Sequence, residues 1–345
     1  MTPSISVILP IYNAEKWLGA ALDSLASQTI GIAEIIAIDD GSTDSSAAIL
    51  DRAARSGQPL RILRNSHNLG IVASLNRGLD SAQGRFVARM DADDVSLPHR
   101  LIAQLAFLEQ SGCDLCGSWF IEFGQGIPRT VRWPNAEPAL AAAMLFQNSI
   151  CHPTVLARRH VFEQFRYREA YHLAEDYDLF VRAGSRFRIA NVPEPLLRYR
   201  RHPNQSTQAK RDDMERVTQK IRLNALRARG LQPTVEEQRL HNLIRAPSSI
   251  SQLDDLDGIE AWLLGVYASQ EDDEAKRIVA SQWIRACIRA APLGNDMWKR
   301  FRCSRLYDAS GANASVSADL WVLSRLRLSY GSSAFGALRR FGITA

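Results

Sequence analysis

Short apolar runs alternate with amphipathic segments over the first third of the chain. Continuous apolar runs of this length are typical of buried strands, and they predict strands at residues 4–9, 34–38, 60–63, 86–90 and 115–123. Apolar residues at helical spacing lie between them and predict helices at residues 14–28, 45–56, 71–82 and 101–109. This alternation predicts an α/β fold, with a mostly parallel sheet flanked by helices.

The alternation stops after residue 124. Later patterns predict a short helix at 139–146, a strand at 151–157, a helix with an acidic first turn at 175–182, and two strand-like pieces within 186–201. Turn-forming residues at 204–210 predict a linker. Beyond it, helical spacing predicts helices at 214–228, 235–244, 256–269, 274–290, 297–307 and 318–328. We therefore predict an α/β domain over residues 1–206 and an all-helical domain over 211–345.

The composition is that of an ordinary globular protein, with 46% hydrophobic and 23% charged residues among 345. No apolar run reaches the ~18 residues of a membrane span. No basic segment precedes an apolar run at the N-terminus, and we predict a cytoplasmic location. The five cysteines are an odd number, so we expect Cys113 and Cys116 to be small core residues rather than a metal or redox pair.

Carboxylates follow two of the predicted strands. Asp39 and Asp40 come after the second strand, and Asp91, Asp93 and Asp94 come after the fourth. Right-handed crossovers bring the carboxyl ends of parallel strands to one edge of the sheet, where open α/β sheets bind ligands. Carboxylates this close repel one another, and a hard cation such as Mg²⁺ or Mn²⁺ would relieve that repulsion. Alternatively, both clusters are merely solvated turns.

Several short segments in a fixed order resemble a known family. They are residues 6–13 (SVILPIYN), 38–44 (IDDGSTD), 68–70 (NLG), 76–78 (NRG), 89–94 (RMDADD), 152–154 (HPT), 174–179 (AEDYDL) and 198–202 (RYRRH). In this order they resemble the family-2 nucleotide-sugar glycosyltransferases, which have the GT-A fold. The likeness covers residues 4 to about 206 and is closest to bacterial members that assemble exopolysaccharide or O-antigen units.

The resemblance implies an inverting, metal-dependent transfer of a sugar from a nucleotide diphosphate sugar to a saccharide or lipid-linked saccharide acceptor. The residues that it assigns to the nucleotide are Pro10, Tyr12, Asp39, Asp40, Asn68, Gly70, Asn76 and, at the ribose, Asp91. A carboxylate can accept a hydrogen bond from a pyrimidine N–H, which favours UDP, with dTDP next. Arg198 and Arg200 alternate along a predicted strand, where either could face the diphosphate.

The resemblance also implies the metal ligands and the catalytic base. The metal, Mn²⁺ or Mg²⁺, is assigned to Asp93 with Asp91, Asp94 and His202. The base that deprotonates the acceptor is assigned to Asp176, with Glu175 beside it at a helix start that favours ionised carboxylates. For Asp178 we expect an exposed position or an arginine partner. For His152, lining the acceptor cleft and a structural role in its turn both stay open.

Other functions are less compatible with these residues. A dehydrogenase or a nucleotidyltransferase needs a glycine-rich turn after the first strand, and residues 10–13 (PIYN) contain no glycine. A non-catalytic saccharide-binding or scaffold protein would have no need of Asp93 and Asp176. We expect no nucleic-acid partner. From residue 296 onward, eight basic residues outnumber three acidic ones among several aromatics. This pattern predicts either contact with an anionic membrane surface or, as we prefer, helices with an aromatic core stripe.

Overall fold

The computed structural model of the protein describes residues 4–202 and 211–340. Two compact units are present in this part of the chain. One is built from the residues up to Glu137 and from Asn148–Ile221, and the other from Pro138–Gln147 and the residues from Arg222 onward. The predicted linker at residues 204–210 lies outside the described residues, so the domain boundary placed there stays a prediction.

The first unit contains a mixed sheet. Its strands within the described residues are β1 Ile5–Ile11, β2 Glu34–Asp39, β3 Leu60–Arg64, β4 Phe86–Arg89, β5 Val95–Ser96, β6 Leu115–Phe123, β7 Arg129–Val131, β8 Leu156–Arg158 and β9 Ile189–Arg200. Their order is β3-β2-β1-β4-β8-β6-β9-β5, with β7 beside β6. The first four strands pair in parallel, as the alternation predicts. β8 runs antiparallel between β4 and β6, so parallel pairing is confined to two parts of the sheet.

The register of the parallel strands brings both acidic clusters to one edge of the sheet. β1 lies between β2 and β4, with Ile11 opposite Asp39 and Ile8 opposite Arg89. Every residue of β1 is buried, and all of them except Ser6 are apolar. The core under the edge is therefore rigid, and the carboxylates that follow β2 and β4 project from fixed positions.

Helices pack on this sheet as predicted, with shifted ends. Those in the first unit are α1 Leu18–Ala26, α2 Ser46–Arg55, α3 Ile71–Ser81, α4 Arg100–Ser111, α6 Arg159–Gln164 and α7 Glu175–Ala183. α1 begins four residues later than predicted because the preceding loop is bonded to the start of α2. The N–H of Ala14 donates to Ser46 Oγ at 2.9 Å, and the N–H of Glu15 donates to Asp44 Oδ2 at 2.9 Å.

Two predictions for the segment before residue 202 are wrong in detail. The predicted strand at 151–157 begins as a 3-10 turn, His152–Thr154, and only β8 follows as a strand. The two predicted strand pieces within 186–201 are one continuous strand, β9. β9 passes through Pro193 and Pro195 where its pairing with β6 shifts register on both sides of Trp119, and such irregular pairing is where a strand tolerates proline.

The second unit is helical throughout its described residues, as predicted. Its helices are α5 Glu137–Met144, which starts at the unit boundary, α8 Arg211–Ala228, which crosses the other boundary, α9 Val235–Leu243, α10 Leu253–Ala268, α11 Asp273–Arg289, α12 Asn295–Cys303, α13 Leu306–Ala309, α14 Ala314–Leu326 and α15 Ser333–Arg340. The helix predicted at 297–307 is broken at Ser304, and α15 was not predicted. Among the described residues, no helix combines the length and the apolar character that crossing a bilayer requires.

Candidate active site

The loop after β4 places three carboxylates around one point. Asp91, Asp93 and Asp94 each offer an oxygen within 4.8 Å of the others. Asp94 is buried; its Oδ1 accepts the N–H of Arg200 at 2.8 Å, but its Oδ2 is buried with no hydrogen-bond partner. Burial, followed by the charges of Asp91 and Asp93, raises the pKa of Asp94 well above its ordinary value. An orphaned carboxylate oxygen between two others fits a hard cation, so the residues predicted to bind metal suit one.

Two buried arginines support this loop from the sheet side. Arg89 ends β4 and is paired with Asp91 through Nη1 and Oδ2, which are 2.5 Å apart. Arg100, which begins α4, donates from Nη2 to the carbonyl oxygen of Arg89 at 2.8 Å. Burial raises the pKa of Asp91, and the charge of Arg89 opposes that rise. The charge of Arg89 thus partly neutralises the acidic loop from the sheet side, and the opposite side of the loop is available to a ligand.

The end of β9 supports the loop from the other side. Arg200 Nε donates to the carbonyl oxygen of Asp93 at 2.8 Å, and His202 Nε2 lies 2.9 Å from Asp93 Oδ2. The Arg200 guanidinium lies 4.2 Å from the ring centroid of Trp17 and 4.5 Å from that of Phe123. These cation–π contacts hold the guanidinium in place. The structure therefore places Arg200 and His202 at the acidic loop.

Arg198 lies two residues earlier on the same strand. Its guanidinium lies 4.4 Å from the ring centroid of Phe123, so both arginines contact one aromatic ring. The side chain of Arg198 is exposed and can reach an anionic ligand from solvent. The two residues predicted to face a diphosphate thus lie side by side.

The carboxylates after β2 have a different environment. Asp40 is buried and accepts three hydrogen bonds, from Asn65 Nδ2 at 2.6 Å, from the N–H of Leu69 at 2.9 Å and from the N–H of Gly70 at 2.9 Å. Asp39 accepts the N–H of Ser42 at 3.0 Å, which is the Asx-type turn considered as the alternative. Asp40 therefore holds the turn at residues 68–70 in place, and Asp39 holds the turn that follows β2.

The remaining residues predicted to contact nucleotide differ in accessibility. Pro10 is buried within β1, whereas the side chain of Tyr12, just after β1, is 51% exposed. Asn68 Oδ1 accepts the N–H of Gly70 at 3.1 Å, which shapes the turn. Asn76 has both amide atoms bonded to the backbone of Tyr167, at 2.9 and 3.2 Å. Its amide therefore links α3 to the segment at Tyr167.

The first turn of α7 carries the predicted base. Asp176 Oδ2 accepts from Asn148 Nδ2 at 2.8 Å, and its Oδ1 accepts the N–H of Tyr177 at 2.7 Å. Burial raises the pKa of Asp176; the Tyr177 bond and the charge of Arg89 oppose that rise, and Asp91 adds to it. Burial and the neighbouring Asp176 raise the pKa of Glu175 to about 7. Since Arg89 and Asp91 act on it electrostatically, the predicted base lies near the acidic loop.

Two further acidic and basic residues have structural partners. Asp178 is buried between Arg168 and Arg182, the latter 2.7 Å away, so of its two predicted environments the arginine pair is found. His152 is buried in its turn, with Nε2 2.7 Å from the Tyr167 hydroxyl. Burial, with the nearby charge of Arg89, lowers the pKa of His152 well below its ordinary value. These contacts support the structural alternative for His152.

A family model described as Glycosyl transferase family 2 matches residues 6–166. AmsE, the amylovoran biosynthesis glycosyltransferase of Erwinia amylovora, is 32% identical over 201 residues, which are 56% of this chain and 75% of AmsE. The chain belongs to glycosyl transferase family 2.

Solved structures support the fold expected of a family-2 member. S. aureus TarS 1-349 in complex with UDP-GlcNAc has a TM-score of 0.56 at 19% identity, over 92% of this chain and 91% of TarS 1-349. The mannosyltransferase PcManGT from Pyrobaculum calidifontis, in complex with GDP-Man and Mn²⁺, has a TM-score of 0.51 at 15% identity, over 95% and 87% of the two chains. At these identities the likeness establishes the GT-A fold alone.

Two residues of this family-2 site were missed by sequence reasoning. Asn148 contacts the predicted base across 28 residues of sequence, and no local pattern around it indicates a function. Arg89 lies inside the predicted fourth strand, where its place in a buried run could have suggested a charged partner. A buried arginine two residues before an aspartate at a strand end is therefore a pattern that can indicate a supported acidic loop.

Proposed function

We propose that the protein is an inverting, metal-dependent glycosyltransferase that uses a UDP-sugar. One observation carries the proposal: a buried acidic loop with an unpartnered carboxylate oxygen lies near an oriented carboxylate at a helix start, in one unit of the chain. A cation-binding loop beside a general base is what transfer from a diphosphate donor requires. Membership of glycosyl transferase family 2 supports the same chemistry.

Asp91, Asp93, Asp94 and His202 are the residues that we assign to Mn²⁺ or Mg²⁺. When bound, the cation supplies positive charge to a departing diphosphate. His202 contacts Asp93 directly, so a ligand at Asp93 is within its reach. The complex of PcManGT with GDP-Man and Mn²⁺ supports a cation at such a site.

The nucleotide sugar is assigned to the edge of the sheet formed by β1, β2 and β9. Tyr12 has an exposed ring just after β1. We assign Tyr12, with Asp39 nearby, to the nucleobase of the nucleotide. Arg198 and Arg200 are assigned to the diphosphate, since guanidinium groups bind phosphate oxygens in pairs. The TarS complex contains UDP-GlcNAc and the PcManGT complex contains GDP-Man, so the choice of UDP rests on the hydrogen bond that a carboxylate such as Asp39 can accept from a pyrimidine N–H. Asp40, Asn68, Gly70 and Asn76 are assigned to holding the surrounding turns, in view of their hydrogen bonds.

In the proposed reaction Asp176 accepts the proton of the acceptor hydroxyl. The acceptor oxygen forms a bond to the anomeric carbon, and the bond from that carbon to the diphosphate oxygen breaks. The bonding electron pair leaves with UDP, and the configuration at the anomeric carbon inverts. Asn148 and the N–H of Tyr177 hold the Asp176 carboxylate for this step. Glu175, with its pKa near 7, lies beside it.

Polysaccharide synthesis is the process that we propose for this reaction, because AmsE is named for amylovoran biosynthesis. The acceptor is accordingly a saccharide or a lipid-linked saccharide. For the C-terminal helices we infer an aromatic core stripe and not contact with a membrane surface. Phe301 and Phe335, two of the aromatics that suggested such contact, are buried in the second unit, whereas Trp321 is 45% exposed, so burial supports the core-stripe interpretation for the two phenylalanines.

The test is substitution of the base. UDP release from a panel of UDP-sugars, beginning with UDP-GlcNAc, is measured with and without Mn²⁺. Asp176→Asn is expected to lower the rate by about 10³-fold, in the range that loss of a general base gives, while UDP affinity measured by calorimetry stays within about twofold. Asp80→Asn, at an exposed surface ion pair, is the matched control. Full activity of Asp176→Asn would refute the proposed base.

A further inference from the structure

We propose that Asn148 is a positioning residue for the Asp176 carboxylate. The inference rests on the proposed function, because it assigns the way in which that base is held. Asn148 Nδ2 donates to Asp176 Oδ2 at 2.8 Å. The contact joins segments 28 residues apart in sequence.

The orientation of the Asn148 amide follows from its second hydrogen bond. Asn148 Oδ1 accepts the backbone N–H of Ile150 at 3.1 Å. A backbone N–H can only donate, so the oxygen end of the amide must face Ile150, and the NH₂ end must face Asp176. The amide is therefore a donor to the carboxylate and not an acceptor from a protonated acid. Such a donor favours the ionised carboxylate, which is the form that a base needs.

The segment that follows Asn148 is firmly anchored. Ser149 and Ile150 are both buried. Asn191 Nδ2, on β9, donates to the carbonyl oxygen of Ser149 at 2.9 Å. A Cβ on Gly117 would lie 2.5 Å from Asn191 Oδ1 and 2.8 Å from Ile150 Cγ2, so β6 packs directly against this segment. Asn148 thus projects from a fixed support.

The two donors act on different oxygens of the base. Tyr177 N–H holds Oδ1 at 2.7 Å, and Asn148 holds Oδ2. Two fixed oxygens determine the plane of the carboxylate, and each keeps a lone pair for the proton of an acceptor hydroxyl. Loss of the Asn148 donor would free that plane to rotate and would remove one hydrogen bond from the charged form. Both changes reduce proton transfer, and the second also alters its pH dependence.

Several ionisable groups face Asp176 and must be considered in any pH measurement. They are Arg89 and Asp91 at the end of β4, Glu175 on α7 itself, Tyr167 before α7, and Cys151 in the segment after Asn148. None of them is altered by a substitution at Asn148. A difference between variant and wild type at one Mn²⁺ concentration therefore reports the missing donor.

The experiment compares two substitutions of similar size. Asn148→Leu removes the donor, and Asn148→Asp replaces it with a second carboxylate. The rate of UDP release from UDP-GlcNAc, or from the UDP-sugar preferred in the panel, is measured from pH 5 to 9 with saturating Mn²⁺. Asn148→Leu is expected to lower kcat by about tenfold and to move the acid limb of the profile to higher pH by about 0.5, since one donor to the charged form is lost.

Asn148→Asp is expected to move the acid limb further in the same direction, because a like charge beside Asp176 favours its protonated form. UDP affinity is expected to stay unchanged in both variants. Asn313→Ala is the control for simple destabilisation, since it removes a helix cap in the second unit, where Asn313 Oδ1 accepts the N–H of Val316. That control is expected to lower the melting temperature without moving the acid limb.

Unshifted acid limbs in the Asn148 variants would overturn the inference. If Asn148→Leu does not fold, Asn148→Ala takes its place, since it also removes the donor and adds no charge. The proposed function is judged separately by Asp176→Asn. An inactive Asp176→Asn with unshifted Asn148 variants would refute the positioning role and leave the base in place. An active Asp176→Asn would refute both.

Discussion

The carboxylates that follow β2 and those that follow β4 lie on either side of β1, and their surroundings are opposite. Asp40 is buried and accepts three hydrogen bonds from the loop that follows β3. Asp94 is equally buried, yet one of its oxygens has no partner, and two other carboxylates are within 4.8 Å. A buried carboxylate with enough donors stabilises the fold, whereas one without them is costly until a ligand binds. The first cluster therefore organises the site, and the second is available to a cation.

The largest effect is expected from Asp93→Asn, which changes the second cluster. We expect UDP release to fall by about 10³-fold, comparable to the loss of a main electrostatic contact in a transition state. Saturating Mn²⁺, at about 100 times its Kd, should stabilise the wild type by about 2.7 kcal/mol, measured as a rise in melting temperature. That rise should disappear in the variant. Asp51→Asn, at an exposed ion pair, is the control, and an unchanged Mn²⁺ response in Asp93→Asn would contradict the assigned ligand.

Asp40→Ala should act on stability instead. Three donors, Asn65 Nδ2 and the N–H groups of Leu69 and Gly70, would lose their acceptor. Partial access of water to the loop limits the loss, so we expect the free energy of unfolding to fall by about 3 kcal/mol, the order given by stranded buried donors. Urea denaturation measures it. The Mn²⁺-dependent rise in melting temperature should remain, because the second cluster is untouched.

A variant as stable as the wild type would mean that the Asp40 carboxylate does not hold the loop. In that case the nucleotide role implied by the family resemblance would become the better explanation for Asp40. The two clusters are thus distinguished by their variants. Asp40→Ala should lose stability and keep the Mn²⁺ response, whereas Asp93→Asn should lose the Mn²⁺ response.

The sequence predicts the parallel strands and the acidic loop well because both depend on local patterns. β1 is a continuous buried run, and the carboxylates follow strand ends. It does not predict that β8 lies between β4 and β6, since a strand of three residues carries too little pattern to specify its partners. Nor does it separate Asp40 from Asp94. Their difference depends on donors supplied by residues far along the chain, such as Asn65 and Arg200.

The same distance effect explains Asn148 and β9. Asn148 is recognisable only once α7 is beside it. Pro193 and Pro195 suggest a break in a strand, because proline cannot donate to a ladder. β9 nevertheless continues, and both prolines lie where its pairing with β6 shifts register beside Ser118 and Trp119. In β9 the local propensity is overridden by pairing with a distant strand, and at Asn148 the function depends on a contact with a distant segment.

A smaller effect should come from Glu175, which extends the comparison to a buried carboxylate outside both clusters. Burial and Asp176 raise its pKa to about 7 from the ordinary 4.5. The folded protein therefore binds a proton more tightly than the unfolded chain. The resulting stabilisation is fully present below pH 4.5 and is lost as the pH rises through about 7. Each tenfold difference in proton affinity between the folded and unfolded chains corresponds to about 1.36 kcal/mol.

With EDTA present throughout, the free energy of unfolding of the wild type should fall between pH 5 and 8 by roughly 2 kcal/mol more than that of Glu175→Gln. Glutamine has the same shape and does not titrate, so the difference between the two curves reports the titration of Glu175 together with its effect on the neighbouring Asp176. Glu163→Gln, in an exposed ion pair, should give a curve parallel to the wild type. Parallel curves for Glu175→Gln as well would mean that burial without sufficient donors does not raise the pKa of carboxylates in this unit, and the contrast between Asp40 and Asp94 would then need another cause.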